Sequence, residues 1–178
     1  MHQMIVSVII VNYNGLQYTR QCLESFYRYH ESNSIEVIVV DNNSSDGSQK
    51  ELPILFPTIK LNALDHNKGF GAANNEGSKN STGKFIFFVN NDTLFSQNVL
   101  KELTNYLETH SDVGIVGPKL LNEDRSFQYS FGTFPSIMNE YETKKNTVDY
   151  SAQSSLDETT ELPTEKDWVT GAALMIKR

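Results

Sequence analysis

Phe85-Ile86-Phe87-Phe88-Val89-Asn90-Asn91-Asp92 is the stretch on which the fold turns. Five apolar residues in succession are too few for a helix and predict a strand buried on both faces, as inner strands of a parallel sheet are. The polar triplet behind them then falls at the strand's carboxyl end, the edge where open α/β folds bind ligands. Asp92 would offer a hard carboxylate oxygen there, suited to Mg²⁺ or Mn²⁺ carrying a diphosphate. A plain strand-to-helix turn capped by Asp92 explains the same triplet, because Asn and Asp are ordinary turn and cap residues.

Outward from this stretch the pattern repeats. Ile5 to Val11 is a β-branched run, followed by a helical stretch with Leu16, Leu23 and Phe26-Tyr27 in register. Val37 to Val40 reads as a second strand, then a helix capped near Ser45 or Asp46 and stopped around Pro57. Ile59 to Leu64 is a third strand, and Gly71 to Ser81 a short helix opened by a glycine-rich turn. Val99, Leu103 and Tyr106-Leu107 mark another helix, Val113 to Val116 a fifth strand, and Trp168 to Ile176 a last strand-like run. Strand–helix alternation predicts βαβ units, a mostly parallel central sheet flanked by helices, and right-handed crossovers.

A chain of 178 residues can bury one proper core, and the reading is a single domain over 1–178. Cys22 is the only cysteine, which excludes an intrachain disulfide and a multi-cysteine zinc site and points to a reducing compartment, the cytoplasm. The apolar run from Met4 to Val11 lacks a basic leader and is too short to span a bilayer. A net charge of −7 argues against nucleic acid as a partner. That charge is uneven. From Asn139 to Asp167 there are eight acidic residues and three lysines, a net of −5, which leaves −2 for the rest. Residues 133–167 lack periodicity and read as a mobile acidic loop, either a solvated excursion or a flap beside a binding site.

Four polar clusters each follow a predicted strand: Asn12-Tyr13-Asn14-Gly15, Asp41 to Gly47, Asn67-Lys68-Gly69-Phe70-Gly71, and Asn90-Asn91-Asp92. A parallel sheet brings all of them to one edge. Asp41 could accept hydrogen bonds from a base or ribose there, Lys68 could neutralise phosphate, and Gly69 and Gly71 would let backbone approach a ligand closely. Gly69-x-Gly71-x-x-Asn74 only partly resembles a dinucleotide fingerprint, since it follows the wrong strand and lacks the third glycine. A nicotinamide-dependent oxidoreductase is therefore disfavoured. His2, His30, His66 and His110 show no metal-ligand spacing and read as surface residues, with His66 beside the Asn67-Lys68 turn the one to watch.

Taken together, Val6 to Gly15, Val39 to Ser48, Asn67 to Asn74, Phe88 to Asp92 and Trp168 to Ala173 occur in the order and spacing of known blocks. On them the chain resembles the family-2 glycosyltransferases of GT-A (Rossmann-like) fold, particularly their rhamnosyltransferase-like branch. The resemblance implies transfer of a sugar, with inversion, from a UDP- or dTDP-linked donor to a saccharide or lipid-linked acceptor, as in polysaccharide biosynthesis. It implies nucleotide contacts from Asn12, Asn14, Asp41, Asn43, Asp46, Lys68, Gly69, Asn90 and Asn91, and a Mg²⁺ or Mn²⁺ ion on Asp92. Trp168, Gly171 and Ala172 would line the acceptor side. Work at the inner face of the membrane, with peripheral association, is compatible with such an acceptor.

Two departures stand out. Asn90 replaces the first acid of the family's Asp-x-Asp motif, where a neutral amide can still hydrogen-bond ribose or metal-bound water. The family's general base lies in an acidic segment downstream of the Gly-Ala block, which implies a base beyond Arg178 and a C-terminally incomplete domain. A non-catalytic nucleotide-sugar-binding remnant is the competing reading. A nucleotidyltransferase is a weaker one, because no phosphate loop rich in glycine and arginine follows the first strand.

Overall fold

The two longest β-branched runs lie side by side. In the computed structural model, which describes residues 5–30, 33–132, 134 and 163–178, β1 (Val6–Asn12) leads through α1 (Leu16–Tyr29) to β2 (Ile35–Asp41). There follow α2 (Ser48–Leu55), β3 (Lys60–Ala63), α3 (Phe70–Lys79), β4 (Phe85–Asn90), α4 (Val99–Thr109), β5 (Ile115–Val116), β6 (Phe131–Gly132), β7 (Trp168–Val169) and β8 (Ala173–Lys177). The chain divides into two compact units, Pro118–Thr170 and the remainder. No helix of the described residues is long and apolar enough to cross a membrane.

The first unit holds a six-stranded sheet in the order β3-β2-β1-β4-β8-β5. β1 pairs parallel with β2 from Val6↔Ile35 to Asn12↔Asp41, and with β4 from Val6↔Phe85 to Val11↔Asn90. The chain thus builds outward through β2 and β3, then returns by α3 to place β4 on the other side of β1. That reversal between β1 and β4 is the switch point at which such sheets form a crevice. The mostly parallel sheet expected from the alternation is present, with one amendment. The run from Trp168 to Ile176 is not one strand: it breaks at Thr170-Gly171-Ala172, and β8 enters antiparallel between β4 and β5.

Alternation along the strands feeds two core layers. Ile9, Val11, Ile38, Val40 and Ile86 face α3 and pack with its Ala73. Gly77 lets α3 settle on that layer, because a Cβ there would lie 2.6 Å from Ile9 Cγ2 and 3.0 Å from Val40 Cγ2. Val8, Ile10, Val37, Val39, Phe85, Phe87 and Val89 bury on the opposite face. There the α1 side chain Phe26 meets Phe95 edge-on at 5.3 Å, and Phe95 reaches Phe87 at 6.4 Å. Each such aromatic contributes about 1.5–3 kcal/mol by burial alone.

One boundary and one burial differ from the expectation for local reasons. α2 begins at Ser48, after Gly47 in a left-handed conformation (φ 91°), while Asp46 Oδ1 accepts from the Ser48 amide at 3.1 Å. The helix runs through Pro53 to Leu55 and is closed by Phe56 N on Leu52 O, just before Pro57, where the sequence predicts its end. His30 is not a surface residue: it is 2% exposed, stacked on Phe26 at 4.5 Å, with Nδ1 2.9 Å from the Phe26 carbonyl oxygen. Burial lowers its pKa from the ordinary value, against the pull of that carbonyl. The proposed acidic loop lies outside the described residues apart from 134 and 163–167.

In the second unit, β6 pairs antiparallel with β7, and Thr170 N donates to Ser130 O at 2.7 Å. Trp168 stands edge-on to Tyr129 at 5.5 Å. Phe127 and Phe131 meet at 5.4 Å, with Lys166 Nζ 4.7 Å above the Phe131 ring.

At the amino edge of the sheet a single carboxylate closes the layer. Glu36 is 4% exposed. It accepts from Ser7 Oγ at 2.5 Å, Lys60 Nζ at 2.5 Å, Thr82 N at 2.6 Å and Thr82 Oγ1 at 2.8 Å. Desolvation raises its pKa, but these donors outweigh it and hold the carboxyl at about 2 against an ordinary 4.5. A depressed carboxylate stabilises the fold above its unfolded pKa and ceases to do so as pH falls through its folded one. Unfolding free energy measured by denaturant titration should therefore drop by roughly 3 kcal/mol between about pH 5 and pH 2 on account of this group. Glu36→Gln should remove that part of the pH dependence and cost roughly 2–4 kcal/mol at neutral pH. An unchanged acid limb in the variant would refute the assignment.

Candidate active site

Strand ends place the four polar clusters together at the carboxyl edge. Asn12 ends β1 and Asp41 ends β2, and their register pairing makes them neighbours. Both are fully buried. Asn12 Nδ2 donates to Asp41 Oδ2 at 2.8 Å and to Ser44 Oγ at 3.1 Å. The other Asp41 oxygen accepts from the Ser44 amide and from Gln49 Nε2, each at 2.8 Å. Asp41, read from sequence as a contact to base or ribose, thus has both oxygens engaged by protein donors. Its position fixes the loop that follows β2.

That loop is laced to the one after β1. Asn14 N donates to Ser44 Oγ at 2.9 Å, and Asn14 Oδ1 accepts from Ser45 N at 2.8 Å. Asp46 Oδ2 accepts from Leu16 N at 2.8 Å, serving an otherwise unpaired amide at the start of α1. Asp46 Oδ1 also takes the Ser48 hydroxyl. Desolvation raises the Asp46 pKa, yet the hydrogen bonds from Ser48 and Leu16 outweigh it and leave the carboxyl below its ordinary value. Asn43 sits at the exposed tip with φ 66°.

The third cluster joins through Asn42, which is 2% exposed. Asn42 Nδ2 donates to Asn67 Oδ1 at 2.8 Å, and Asn42 Oδ1 accepts from Lys68 N at 2.8 Å. Gly69 (φ 82°, ψ 164°) turns the chain into α3 in a conformation open to glycine alone, and nothing lies within 4 Å of where its Cβ would be. The Lys68 ammonium stands 3.5 Å from Glu76. His66, exposed, pairs with Asp65 at 2.7 Å.

The triplet after β4 closes the arrangement. Asn91 Nδ2 donates to Thr19 Oγ1 at 3.1 Å and approaches Asn12 Oδ1 at 3.4 Å. Asn90 N donates to Ala172 O at 2.8 Å, bringing the Gly171-Ala172 turn beside the end of β4. Asp92 is exposed, and among the described residues no hydrogen bond or ion pair engages its carboxylate. No group of three metal-binding side chains occurs among the described residues. One exposed carboxylate beside a ligand crevice still fits Mg²⁺ or Mn²⁺ held mainly by substrate phosphates and water. Trp168 belongs to the second unit, whereas Gly171 and Ala172 belong to the first. Thr19 and Gln49 escaped the sequence reading. The available signal was a polar residue on the buried face of α1 between Leu16 and Leu23.

An open sheet whose polar loops meet at its switch point defines the GT-A class of α/β fold. Staphylococcus aureus TarS in complex with UDP-GlcNAc superposes with a TM-score of 0.62 at 25% identity, covering 72% of this chain and 38% of that one. The mannosyltransferase PcManGT of Pyrobaculum calidifontis, solved with GDP-Man and Mn²⁺, shares the fold with a TM-score of 0.63 at 19% identity, over 100% of this chain and 46% of its own. The chain belongs to glycosyl transferase family 2, whose family model matches residues 7–159. Its sequence is 30% identical to glycosyltransferase GlyA of Streptococcus pneumoniae over 70% of this chain, and 32% identical to an uncharacterized glycosyltransferase of Rickettsia bellii over 70%. It spans only 18% and 19% of the length of those two relatives.

Removing the Asp41 carboxylate would strand three donors in the interior. Asp41→Ala should therefore lower the unfolding free energy by about 2–4 kcal/mol in denaturant titrations. A loss below ~1 kcal/mol would show that the network is not the tie described.

Proposed function

We propose that this domain binds a UDP- or dTDP-linked sugar at the carboxyl edge of β1, β2 and β4 and transfers the sugar, with inversion, to a hydroxyl of a saccharide or lipid-linked acceptor. The observation that carries the reading is the contrast within the site: Asn12 and Asp41 are buried and hydrogen-bonded, whereas Asp92, one residue past Asn91, is exposed and has no partner among the described residues. A site built to recognise a nucleotide needs the first, and one that receives a metal–diphosphate needs the second. UDP-GlcNAc in the TarS complex supports a UDP-linked donor.

In this reading the loops after β1 and β2 present Asn14, Asn43 and Asp46 around the base and ribose, held in place by the buried Asn12–Asp41 pair. Lys68 and the backbone at Gly69 take the diphosphate side, and Asn90 the ribose. Asp92 would hold the divalent cation, which when bound supplies Lewis-acid stabilisation of the departing diphosphate. The turn at Gly171-Ala172 would face the acceptor. An inverting displacement needs a base within hydrogen-bond reach of the acceptor hydroxyl. We assign that base to an acidic segment downstream of the Gly-Ala block, as the family resemblance implies.

Isothermal titration of UDP and of dTDP, each with and without Mn²⁺, tests the reading. Binding of at least one, tightened by Mn²⁺, is expected. Asp92→Ala should abolish about a tenfold metal-dependent gain and spare the metal-free affinity. No binding of either nucleotide would sink the proposal, and an unchanged metal response in Asp92→Ala would remove Asp92 from it.

A further inference from the structure

We infer that Asn91 is a positioning residue, seated by Thr19 and by the absent side chain of Gly15, which fixes the Asp92 carboxylate relative to the nucleotide loops. The inference rests on the Asp92 reading above and adds residues that it does not use. Gly15 precedes α1 with φ −126°, so no left-handed backbone asks for glycine there. Space does. A Cβ on Gly15 would stand 2.5 Å from Asn91 Nδ2 and 3.2 Å from Asn12 Oδ1.

The Asn91 amide therefore occupies the volume that any other residue at 15 would fill. From that place it donates to Thr19 Oγ1 at 3.1 Å, and Thr19, fully buried, donates in turn to Asn12 Oδ1 at 2.7 Å. Asn12 continues to Asp41 at 2.8 Å. A continuous hydrogen-bonded chain thus runs from the residue before Asp92, across the switch point, to the anchor of the β2 loop. Backbone pairing alone does not provide this link, because the β1–β4 ladder ends at Val11↔Asn90, one residue short of Asn91. Without the side-chain chain, the loop carrying Asp92 would be joined to the β2 loop only through the strands beneath and, less directly, through α1, which Phe95 N meets at Ser25 Oγ and Asp46 meets at Leu16 N.

The link's consequence is a coupling between metal-side and nucleotide-side binding that neither side has alone. UDP is titrated against the intact chain with and without Mn²⁺. Gly15→Ala, which deletes no polar group, should cut the Mn²⁺-dependent tightening about tenfold while changing metal-free UDP affinity less than about twofold. Asn91→Ala should likewise cut the Mn²⁺-dependent tightening, and the double variant should be no worse than Asn91→Ala. Thr19→Ser should keep the coupling and Thr19→Val lose it, which decides the matter if Gly15→Ala fails to fold. The same cycle of wild type, two single variants and the double variant, read by thermal unfolding without ligand, should be non-additive for positions 15 and 91. Additive effects, an equal loss with and without metal, or Thr19→Val matching Thr19→Ser would overturn the link. A wild-type chain tightened by Mn²⁺ with insensitive variants sinks the link alone, whereas a wild-type chain indifferent to Mn²⁺ sinks the Asp92 reading and the link with it.

Discussion

A carboxylate with no access to water must be surrounded by donors, and Asp41 meets that demand at the end of β2 with three of them. The penalty for leaving such a group unpaired exceeds the net gain of an ordinary hydrogen bond. Asn12, the Ser44 amide and Gln49 are consequently not free to wander, and the loops that carry them inherit one arrangement. Everything else at this edge is hung from that pair: Asn14 and Ser45 lace the two loops, Asp46 ties the start of α1, and Asn42 carries the order on to Asn67 and Lys68. The cradle is thus rigid for a reason of solvation, independent of whether a ligand is present.

The opposite end of β2 uses the same physics for another purpose. Glu36 is buried and saturated by Ser7, Lys60 and Thr82, and nothing about it is exposed to a crevice. One strand therefore carries a buried acid at each end, one pinning the turn after α3 and the other pinning the loops after β1 and β2. The two ends differ in their surroundings. Beyond Asp41 comes a loop with an exposed tip at Asn43, while Glu36 is enclosed by Ser7 and Thr82.

Much of this is legible in the amino-acid sequence. Apolar runs of strand length locate β1, β2 and β4, because burial on both faces demands unbroken hydrophobicity. The convergence of the polar clusters comes from parallel pairing. The features that escape such reading are long-range. The break at Thr170-Gly171-Ala172 depends on which strand partners each half finds, and β8 finds β4 and β5 while β7 finds β6. His30 resembles a surface histidine because its spacing says nothing about its ring partners, Phe26 stacked on it and Phe95 edge-on. Thr19 and Gln49 are single polar residues on helices, and only the geometry shows that each completes a buried network. The antiparallel entry of β8 likewise carries no local signature.

That entry has a consequence for the order of assembly. Residues 90 and 173 are 83 positions apart, yet β4 and β8 pair directly. The parallel core β3-β2-β1-β4 can form from neighbouring βαβ units, whereas β8 must close a long loop first. Until it does, β4 is an edge strand of Phe85, Ile86, Phe87, Phe88 and Val89, a flat apolar ladder with unpaired amides. Such an edge recruits other chains. During synthesis β4 leaves the ribosome well before β8, so the interval between them is the period in which the nascent chain is most prone to aggregate. β8 therefore covers the apolar edge that β4 would otherwise present to other chains.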